Sequence, residues 1–284
     1  MEFQKNILLK NYTTFKIGGP AEYFFTAKNK IELIKAIHEA KILNLPFFIL
    51  AAGSNVLFSD KGYDGLVIKF ENPKLSQLVN KGLEWAAGIP GTVAGAIYGN
   101  AGAFGKSMAD VVKTVEVFDV KSNKIKKLKN RQCKFGYRNS IFKENSNLII
   151  LSAEIRLKKS NSKKIKKYLE YRKKTQPLSF PSAGSIFKNF TPHRNKISGA
   201  GPAFKTLIKK FKKKDVIPAA YLIEKCGLKG KKIGGAKISE LHSNFIVNLG
   251  GASAKDVLKL IDLAKRKVKN KFGVELKEEI RKIY

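Results

Sequence analysis

The chain has 284 residues, of which 43% are hydrophobic and 27% are charged. Such a length can bury a sizeable core and fits two domains better than one. No apolar run approaches the roughly 20 residues that a membrane-spanning helix needs, and the N-terminus lacks the apolar core of a secretory signal. The sequence therefore predicts a cytoplasmic protein without a membrane partner. Cys133 and Cys226 lie far apart, which predicts neither a disulfide framework nor a metal site.

The formal net charge of +34 comes from 56 Lys and Arg residues against 22 Asp and Glu. Clustered cations would indicate a nucleic acid or an anionic surface as partner. However, only seven of the basic residues are Arg, and the Lys are scattered from end to end. Because surfaces that bind phosphates and bases favour Arg, we interpret the charge as a compositional use of Lys and expect no nucleic-acid partner. Anionic small substrates would still be attracted.

Hydrophobic spacing and turn residues predict a mixed α and β chain. The first part comprises a helix over 30–44 and strands over 21–26, 46–51, 57–58 and 66–69. After a segment of small residues, the pattern predicts a basic helix over 163–174, preceded by strands over 111–120, 124–128 and 148–157. We place a domain boundary near Thr175, which gives domains over 1–175 and 176–284.

The second part contains the stretch 191–218, which is rich in Lys and irregular in pattern and is interpreted as a peripheral insertion. A helix over 219–226 follows, capped by Gly227, and then a strand over 245–248. Ser253 is the predicted N-cap of a long helix that runs through Lys271.

The segment 88–105 consists almost entirely of small residues. Such a loop can bring backbone N–H groups against a pyrophosphate, but it can equally be a turn packed tightly inside the fold. It matches neither the Walker P-loop nor the dinucleotide fingerprint. The Gly53-Ser54-Asn55 turn favours the ligand interpretation, since two such loops could hold two parts of one phosphate-bearing cofactor.

Several polar residues have ordinary interpretations when taken alone. Ser185 follows Gly184 and is accessible, but by default it is a turn serine, and the histidines show no triad pattern that would activate it. His242 is better explained as a structural hydrogen-bonding residue. By default, Arg138 would form a surface ion pair, and Glu279 would be a solvated charge.

Six ordered blocks together resemble the UDP-N-acetylenolpyruvoylglucosamine reductase family, flavoenzymes that make UDP-N-acetylmuramate for bacterial cell walls. The resemblance runs along nearly the whole chain, and six blocks in order are far more specific than any one of them. The chain resembles the family's shorter type. The blocks cover residues 11–21, 52–57, 88–105, 135–142, 176–189 and 227–248.

The resemblance implies an α+β fold. A vanillyl-alcohol-oxidase-like (PCMH-type) FAD-binding domain of two α+β lobes would occupy 1–175. A smaller α+β substrate-binding domain would occupy 176–284, and its C-terminal end would return to the active site. We expect the protein to act as a monomer.

The resemblance also implies a reaction. With bound FAD and with NADPH as co-substrate, the chain would reduce UDP-N-acetylglucosamine enolpyruvate to UDP-N-acetylmuramate in peptidoglycan precursor synthesis. Ser185 would protonate the substrate carbon after the hydride has arrived, and Arg138 and Glu279 would polarise the enolpyruvyl carboxylate. The residues implied to bind the cofactor are Ala52, Gly53, Ser54, Asn55, Gly91, Thr92, Gly95, Asn100 and Gly102. Those implied to bind the substrate are Tyr137, Lys188, Asn189 and His242.

The chain departs from the family pattern in places. Ala51-Ala52-Gly53 stands where a Gly-rich run is usual, Ala94 stands where Gly is usual, and Gly99 replaces a bulkier residue. The stretch from Phe70 to Gly82 is shorter than members normally carry. Two alternatives follow: a degenerate relative that binds flavin or nucleotide without turnover and, from the charge, a nucleic-acid-associated protein.

Overall fold

The computed structural model describes residues 1–192, 202–211 and 216–284. The chain forms two compact units, each built from separate segments of the sequence. Unit 1 comprises Met1–Ile7, Ala21–Gly53 and Tyr63–Lys174. Unit 2 comprises Leu8–Pro20, Ser54–Gly62 and Thr175–Tyr284. None of the helices within the described ranges is long and apolar enough to cross a membrane.

The regular elements alternate along the chain. The strands are β1 Gln4–Leu8, β2 Pro20–Ala27, β3 Phe47–Leu50, β4 Val56–Phe58, β5 Tyr63–Phe70, β6 Gly102–Ala103, β7 Lys106–Ser107, β8 Val112–Asp119, β9 Lys124–Lys129, β10 Leu148–Ile155, β11 Ser182–Ser185, β12 Lys232–Ile233, β13 Ala236–Ile238, β14 Phe245–Asn248 and β15 Arg281–Ile283. The helices are α1 Lys30–Ile42, α2 Ser76–Val79, α3 Val93–Gly99, α4 Ile141–Glu144, α5 Ser162–Thr175, α6 Pro202–Phe211, α7 Ala219–Lys225 and α8 Ala254–Phe272.

One sheet of unit 1 has the strand order β1-β2-β5-β3. β5 lies between β2 and β3 and runs parallel to both, with Val67 opposite Phe24 on one side and opposite Phe48 on the other. α1 begins after Asn29, whose side chain accepts hydrogen bonds from two N–H groups of the first turn. The buried face of α1 and this sheet belong to one apolar cluster.

The other large sheet of unit 1 is antiparallel, with the order β10-β8-β9. Its central strand contacts two apolar clusters, since Val115 and Val117 belong to one cluster and Phe118 belongs to the cluster that contains α1. Lys113, Thr114 and Glu116 of the same strand are not buried, so 111–120 combines apolar positions with polar ones. The first of these clusters also contains Ile97 of α3, so the β8 sheet supports the small-residue segment.

Unit 2 is built on an antiparallel sheet with the order β11-β14-β13-β12. α8 begins at the predicted N-cap Ser253, whose hydroxyl accepts a hydrogen bond from the Asp256 N–H, and ends before Gly273 in the left-handed region. Its apolar face forms part of the single large core cluster of this unit. The short strands β4 and β15 pair in parallel, with Leu57 opposite Lys282.

Most predicted elements are confirmed, with ends shifted by a few residues. Two predictions are wrong. The small-residue segment is not a loop throughout, because it contains α3, which is capped by Thr92. The Lys-rich stretch 191–218 is not irregular throughout, because α6 buries Phe204 and Leu207 in the core of unit 2. The remainder of that stretch at 193–201 and 212–215 lies outside the described residues.

The two units differ from the linear division into 1–175 and 176–284. Unit 1 ends at Lys174, next to the predicted boundary, but the segments Leu8–Pro20 and Ser54–Gly62 pack with the C-terminal part of the chain. Long-range contacts hold them there: β4 pairs with β15, and Asn248 Nδ2 donates to the Phe15 carbonyl at 3.1 Å. Pairing between residues so distant in sequence leaves no local signal that a boundary prediction can use.

Candidate active site

Ser185 lies at the end of β11 in unit 2, beside β14. Ser182 pairs with Val247 and Ser185 pairs with Phe245, so β11 has an extra residue between the two pairs. The result is a β-bulge, a feature that re-aims the side chains of a strand. Gly184 has a φ of +75°, in the left-handed region that glycine adopts without strain. Ser185 is therefore carried by a bulged strand and not by a turn.

Glu279 lies on an extended segment that runs beside the residue following Ser185. Its N–H donates to the Ile186 carbonyl at 2.8 Å. Asn55 joins the same segment, because its Nδ2 donates to the Glu279 carbonyl at 3.1 Å and its own carbonyl accepts from the Arg281 N–H at 3.0 Å. The fold of unit 2 therefore brings together three residues implied by the resemblance: Ser185, Glu279 and Asn55.

Asn244 fixes the residues that follow Ser185. It is buried, its Oδ1 accepts from the Phe187 N–H at 2.9 Å, and its Nδ2 donates to the Phe187 carbonyl at 2.8 Å. The main-chain carbonyl of Asn244 also accepts from the Ile186 N–H at 2.8 Å. Sequence reasoning missed this residue. An Asn directly before the apolar strand β14 was the available signal, since a buried amide needs polar partners.

His242 lies in the turn that precedes β14. Its Nδ1 accepts a hydrogen bond from the Asn244 N–H at 3.3 Å, and its ring packs edge-on against Phe245 at 4.7 Å between centroids. Burial lowers the pKa of His242 below its ordinary value. The imidazole is therefore neutral at pH 7, and with Nδ1 as acceptor its proton is on Nε2.

The other two residues implied to bind substrate in unit 2 directly follow Phe187. The main-chain N–H of Lys188 donates to the Lys277 carbonyl at 2.8 Å. Asn189 Oδ1 accepts from the Ala219 N–H at 3.1 Å, at the first residue of α7. Asn189 thus stabilises the start of a helix through its carbonyl oxygen, which is a structural contact in addition to its proposed role.

In unit 1, the N-terminus of α3 is closed by the protein's own groups. Its first three N–H groups donate to the Pro73 carbonyl, the Asn72 side chain and the Thr92 hydroxyl, at 2.8, 2.9 and 3.2 Å. The Gly91 carbonyl accepts from the Leu75 N–H at 3.0 Å. A phosphate at this segment must therefore be bound by groups other than the first N–H groups of the helix.

The glycines of the small-residue segment divide into two kinds. A β-carbon at Gly95 would lie 3.3 Å from the Ala51 β-carbon, and one at Gly102 would lie 2.6 Å from the Lys106 carbonyl oxygen. These two glycines serve close packing. A β-carbon at Gly99 would meet no described atom within 4 Å. The surface at Gly99 is therefore open and leaves room for a ligand.

Asn100 and Gly102 are tied to the loop that carries Arg138. Asn100 Nδ2 donates to the Gly136 carbonyl at 2.8 Å, and Arg138 Nη2 donates to the Gly102 carbonyl at 2.9 Å. Asn100 is itself buried and left-handed, with its Oδ1 accepting from the Ala109 N–H at 3.0 Å. Unit 1 therefore brings together four residues implied by the resemblance: Asn100, Gly102, Arg138 and the adjacent Tyr137.

Arg138 lies in a tight turn closed by two main-chain hydrogen bonds between Gly136 and Asn139, at 3.0 and 3.2 Å. Its φ of +53° is unfavourable for a residue with a side chain by about 1–2 kcal/mol. The guanidinium lies 5.4 Å from the Tyr137 ring centroid, within range of a cation–π contact. Backbone strain of this kind is typical of functional positions.

The remaining residues implied to bind the cofactor lie on the bend that follows β3. Ala52 and Gly53 end one segment of unit 1, and Ser54 begins a segment of unit 2.

Within the ranges that the structure describes, no group of three or more His, Cys, Asp or Glu residues could hold a metal ion.

Comparison with known proteins identifies the class of protein that carries this site. Residues 176–283 match the family model described as UDP-N-acetylenolpyruvoylglucosamine reductase, C-terminal domain. A crystal structure of UDP-N-acetylenolpyruvylglucosamine reductase from Thermus caldophilus is similar over the whole length of both chains, with a TM-score of 0.77 and 31% identity. The α+β fold is therefore that of an oxidoreductase.

Curated relatives specify the family. The UDP-N-acetylenolpyruvoylglucosamine reductase of Caldanaerobacter subterraneus is 42% identical over 96% of this chain and 91% of its own length. That of Clostridium novyi is 39% identical over 99% of this chain and 92% of its own length. The chain belongs to the UDP-N-acetylenolpyruvoylglucosamine reductase family.

Proposed function

We propose that the chain reduces UDP-N-acetylglucosamine enolpyruvate to UDP-N-acetylmuramate, with electrons from NADPH carried by bound FAD. Family membership supports the reaction, which serves peptidoglycan precursor synthesis. The structural observation that carries the proposal is the hydrogen bond between the Glu279 N–H and the Ile186 carbonyl, because it places Glu279 beside the strand that ends at Ser185. The proposed enzyme is a cytoplasmic monomer.

FAD fits the groups that are present in the proposed binding residues. The open surface at Gly99 gives space next to Asn100, and the hydroxyl of Ser54 and the amide of Asn55 are suitable partners for diphosphate and ring atoms. Because the first N–H groups of α3 are already bound, these side chains and other backbone groups of 52–55 and 99–102 would hold the cofactor. When bound, FAD would take a hydride equivalent from NADPH and supply it to the enol ether. The vanillyl-alcohol-oxidase-like domain is part of this proposal.

Ser185 acts as the proton donor in the proposed reaction. The enol ether gains a hydride at the carbon remote from the carboxylate and a proton at the carbon that bears it, so the double bond becomes a saturated lactyl ether. The Ser185 Oγ–H supplies that proton and is restored from solvent, which balances the step. The bulge at Gly184 sets the position of Ser185 on the strand in this proposal.

Arg138 and Glu279 stabilise the negative charge that develops before protonation. The Arg138 cation lowers the energy of an enolate-like carboxylate, and the hydrogen bond from its Nη2 to the Gly102 carbonyl helps to hold the guanidinium in place. Glu279, on the segment beside Ile186, is the second residue of this pair in the proposal. Tyr137, Lys188, Asn189 and the neutral His242 contact the sugar nucleotide in this proposal.

Anaerobic half-reactions test the function. The purified protein with FAD should lose its visible flavin absorption on addition of NADPH and regain it on addition of the sugar nucleotide. A protein that cannot bind FAD would refute the proposal. Flavin that is reduced but not reoxidised by the sugar nucleotide would instead indicate the degenerate relative.

Replacing the serine tests its role. Ser185→Ala should leave reduction by NADPH unchanged and slow reoxidation by the sugar nucleotide by roughly 10²–10⁴-fold, the usual contribution of a positioned proton donor. Ser182→Ala, in the same strand, is the matched control and should behave as wild type. An equal loss in both half-reactions of Ser185→Ala would contradict the proton-donor role.

A further inference from the structure

Helix α5 carries one buried cation. Its other basic side chains are exposed lysines, whereas Arg172 is only 8% exposed. The Arg172 Nε donates to the Ala87 carbonyl at 2.7 Å, and its Nη2 lies 3.5 Å from the Trp85 carbonyl. Arg172 therefore binds two main-chain groups immediately before the small-residue segment at 88–105.

The burial of Arg172 is costly and therefore informative. Within the described part of the chain, no carboxylate lies at ion-pair distance from it, although a buried charge is normally paired. Burial lowers the pKa of the guanidinium accordingly. The chain has only seven Arg among its 56 basic residues. The planar guanidinium of Arg can donate to two carbonyls at once from fixed directions. A Lys ammonium lacks this geometry, which explains why Arg is used here.

Arg172 also contacts the far end of the small-residue segment. Its guanidinium carbon lies 5.5 Å from the centroid of the Phe104 ring, and that ring stacks on Tyr168 at 3.9 Å with an interplanar angle of 12°. At the near end, a β-carbon at Gly88 would lie 2.8 Å from Arg172 Cδ. One side chain of α5 therefore packs against both Gly88 and Phe104, the two ends of the segment that contains α3.

The helix that carries Arg172 is itself fixed at its other end. Glu84 is buried, and its Oε1 accepts from the Asn161 N–H at 2.9 Å, directly before α5. The Lys158 N–H donates to the Lys81 carbonyl at 3.1 Å. Both ends of α5 are thus bonded to the stretch that leads into the small-residue segment, so Arg172 has little freedom to move relative to it.

We propose that Arg172, together with Phe104 and Tyr168, is a positioning residue that holds the 88–105 segment in the conformation that binds the dinucleotide cofactor. This inference rests on the proposed function, because it assumes that the segment binds FAD. Arg172 acts through the segment: it fixes the carbonyls before Gly88 and the ring at Phe104, and these in turn set the position of Gly99 and Asn100. It takes no part in proton or hydride transfer.

The test compares FAD affinity with stability in two variants. Arg172→Lys keeps the charge and removes the fork. Phe104→Leu keeps an apolar side chain and removes the ring. The dissociation constant for FAD, from the change in flavin fluorescence on binding, should rise about tenfold in each variant, as expected for the loss of a charge-assisted hydrogen bond in Arg172→Lys and of the ring contacts in Phe104→Leu. The visible circular dichroism of the bound flavin should also change. The melting temperature of the FAD-free protein should fall by only a few degrees.

Lys173→Ala is the matched control, because Lys173 is the next residue of α5 and is exposed. It should bind FAD as wild type does. Wild-type FAD affinity and dichroism in both variants would overturn the inference. If Arg172→Lys fails to fold, Phe104→Leu alone decides, since it leaves the bonds to Ala87 and Trp85 intact. Wild-type protein that binds no FAD would instead refute the proposed function.

Discussion

The bulge at Gly184 leads to a prediction that separates stability from chemistry. Gly184 has a φ of +75°, and a β-carbon there would meet no described atom within 4 Å. The cost of Gly184→Ala is therefore backbone strain without a steric clash, about 1–2 kcal/mol. For a protein of this size, that cost corresponds to a fall of about 2–8 °C in the melting temperature. Relief of the strain would change the bulge and so move Ser185.

The expected functional loss is confined to one half-reaction. A displacement of a catalytic group by about 1 Å can cost roughly 100-fold in rate. Gly184→Ala should therefore reoxidise with the sugar nucleotide about 100-fold more slowly than wild type, and stopped-flow reduction by NADPH should be unchanged.

Gly227→Ala is the matched control in the same unit. Gly227 follows α7, has a φ of +69°, and likewise faces no described atom within 4 Å. It should lose a similar amount of stability without any change in either half-reaction. If Gly184→Ala is destabilised as expected but reoxidises at the wild-type rate, the bulge does not position Ser185 and the reasoning is wrong.

Two further predictions concern Arg138 and His242. Arg138→Gly relieves the strain of the left-handed conformation but also loses the hydrogen bond to the Gly102 carbonyl, and the two effects are similar in size and opposite in sign. The melting temperature should therefore change by only a few degrees while turnover falls at least 100-fold. A variant that retains turnover would remove Arg138 from the mechanism. Burial lowers the pKa of His242 in the folded state, so below about pH 6.5 the unfolded chain binds a proton that the folded chain does not. The free energy of unfolding should therefore decrease as the pH falls from 7.5 to 5.5, and His242→Gln should show a smaller decrease in urea titrations at these two pH values. If the free energy of unfolding decreases by the same amount in the two proteins, His242 does not cause the loss.

The elements that follow from local pattern could be predicted from the sequence. α8 combines an N-cap at Ser253 with a regular apolar face, and β8 is rich in the strand-forming residues Val, Thr and Phe. α6 was missed because its lysines hid the apolar spacing of Phe204 and Leu207, which pack against the unit 2 core. The density of charge in a sequence is therefore a poor guide to whether a helix has a buried face.

The candidate site could be predicted only in part. The resemblance supplied Ser185, Arg138 and Glu279, but nothing local in the sequence indicates that a Ser-Ala-Gly-Ser stretch is a strand, since its pairing with Phe245 depends on residues far along the chain. The position of Asn244 before an apolar strand indicated a buried amide, but its partner Phe187 is far along the chain and is known only from the fold. Supporting residues of this kind become visible when the fold is known.

The contact between Asn55 and Glu279 has a consequence for the order of folding. The two residues are 224 positions apart, and closing so long a loop costs entropy that grows with the logarithm of its length. Non-local pairing of this kind also slows folding. If Tyr63–Lys174 collapses first, the disordered chain between the two residues becomes much shorter. We therefore expect the long internal segment to fold early, and the pairing of β4 with β15, which brings Glu279 to its place, to be among the last steps.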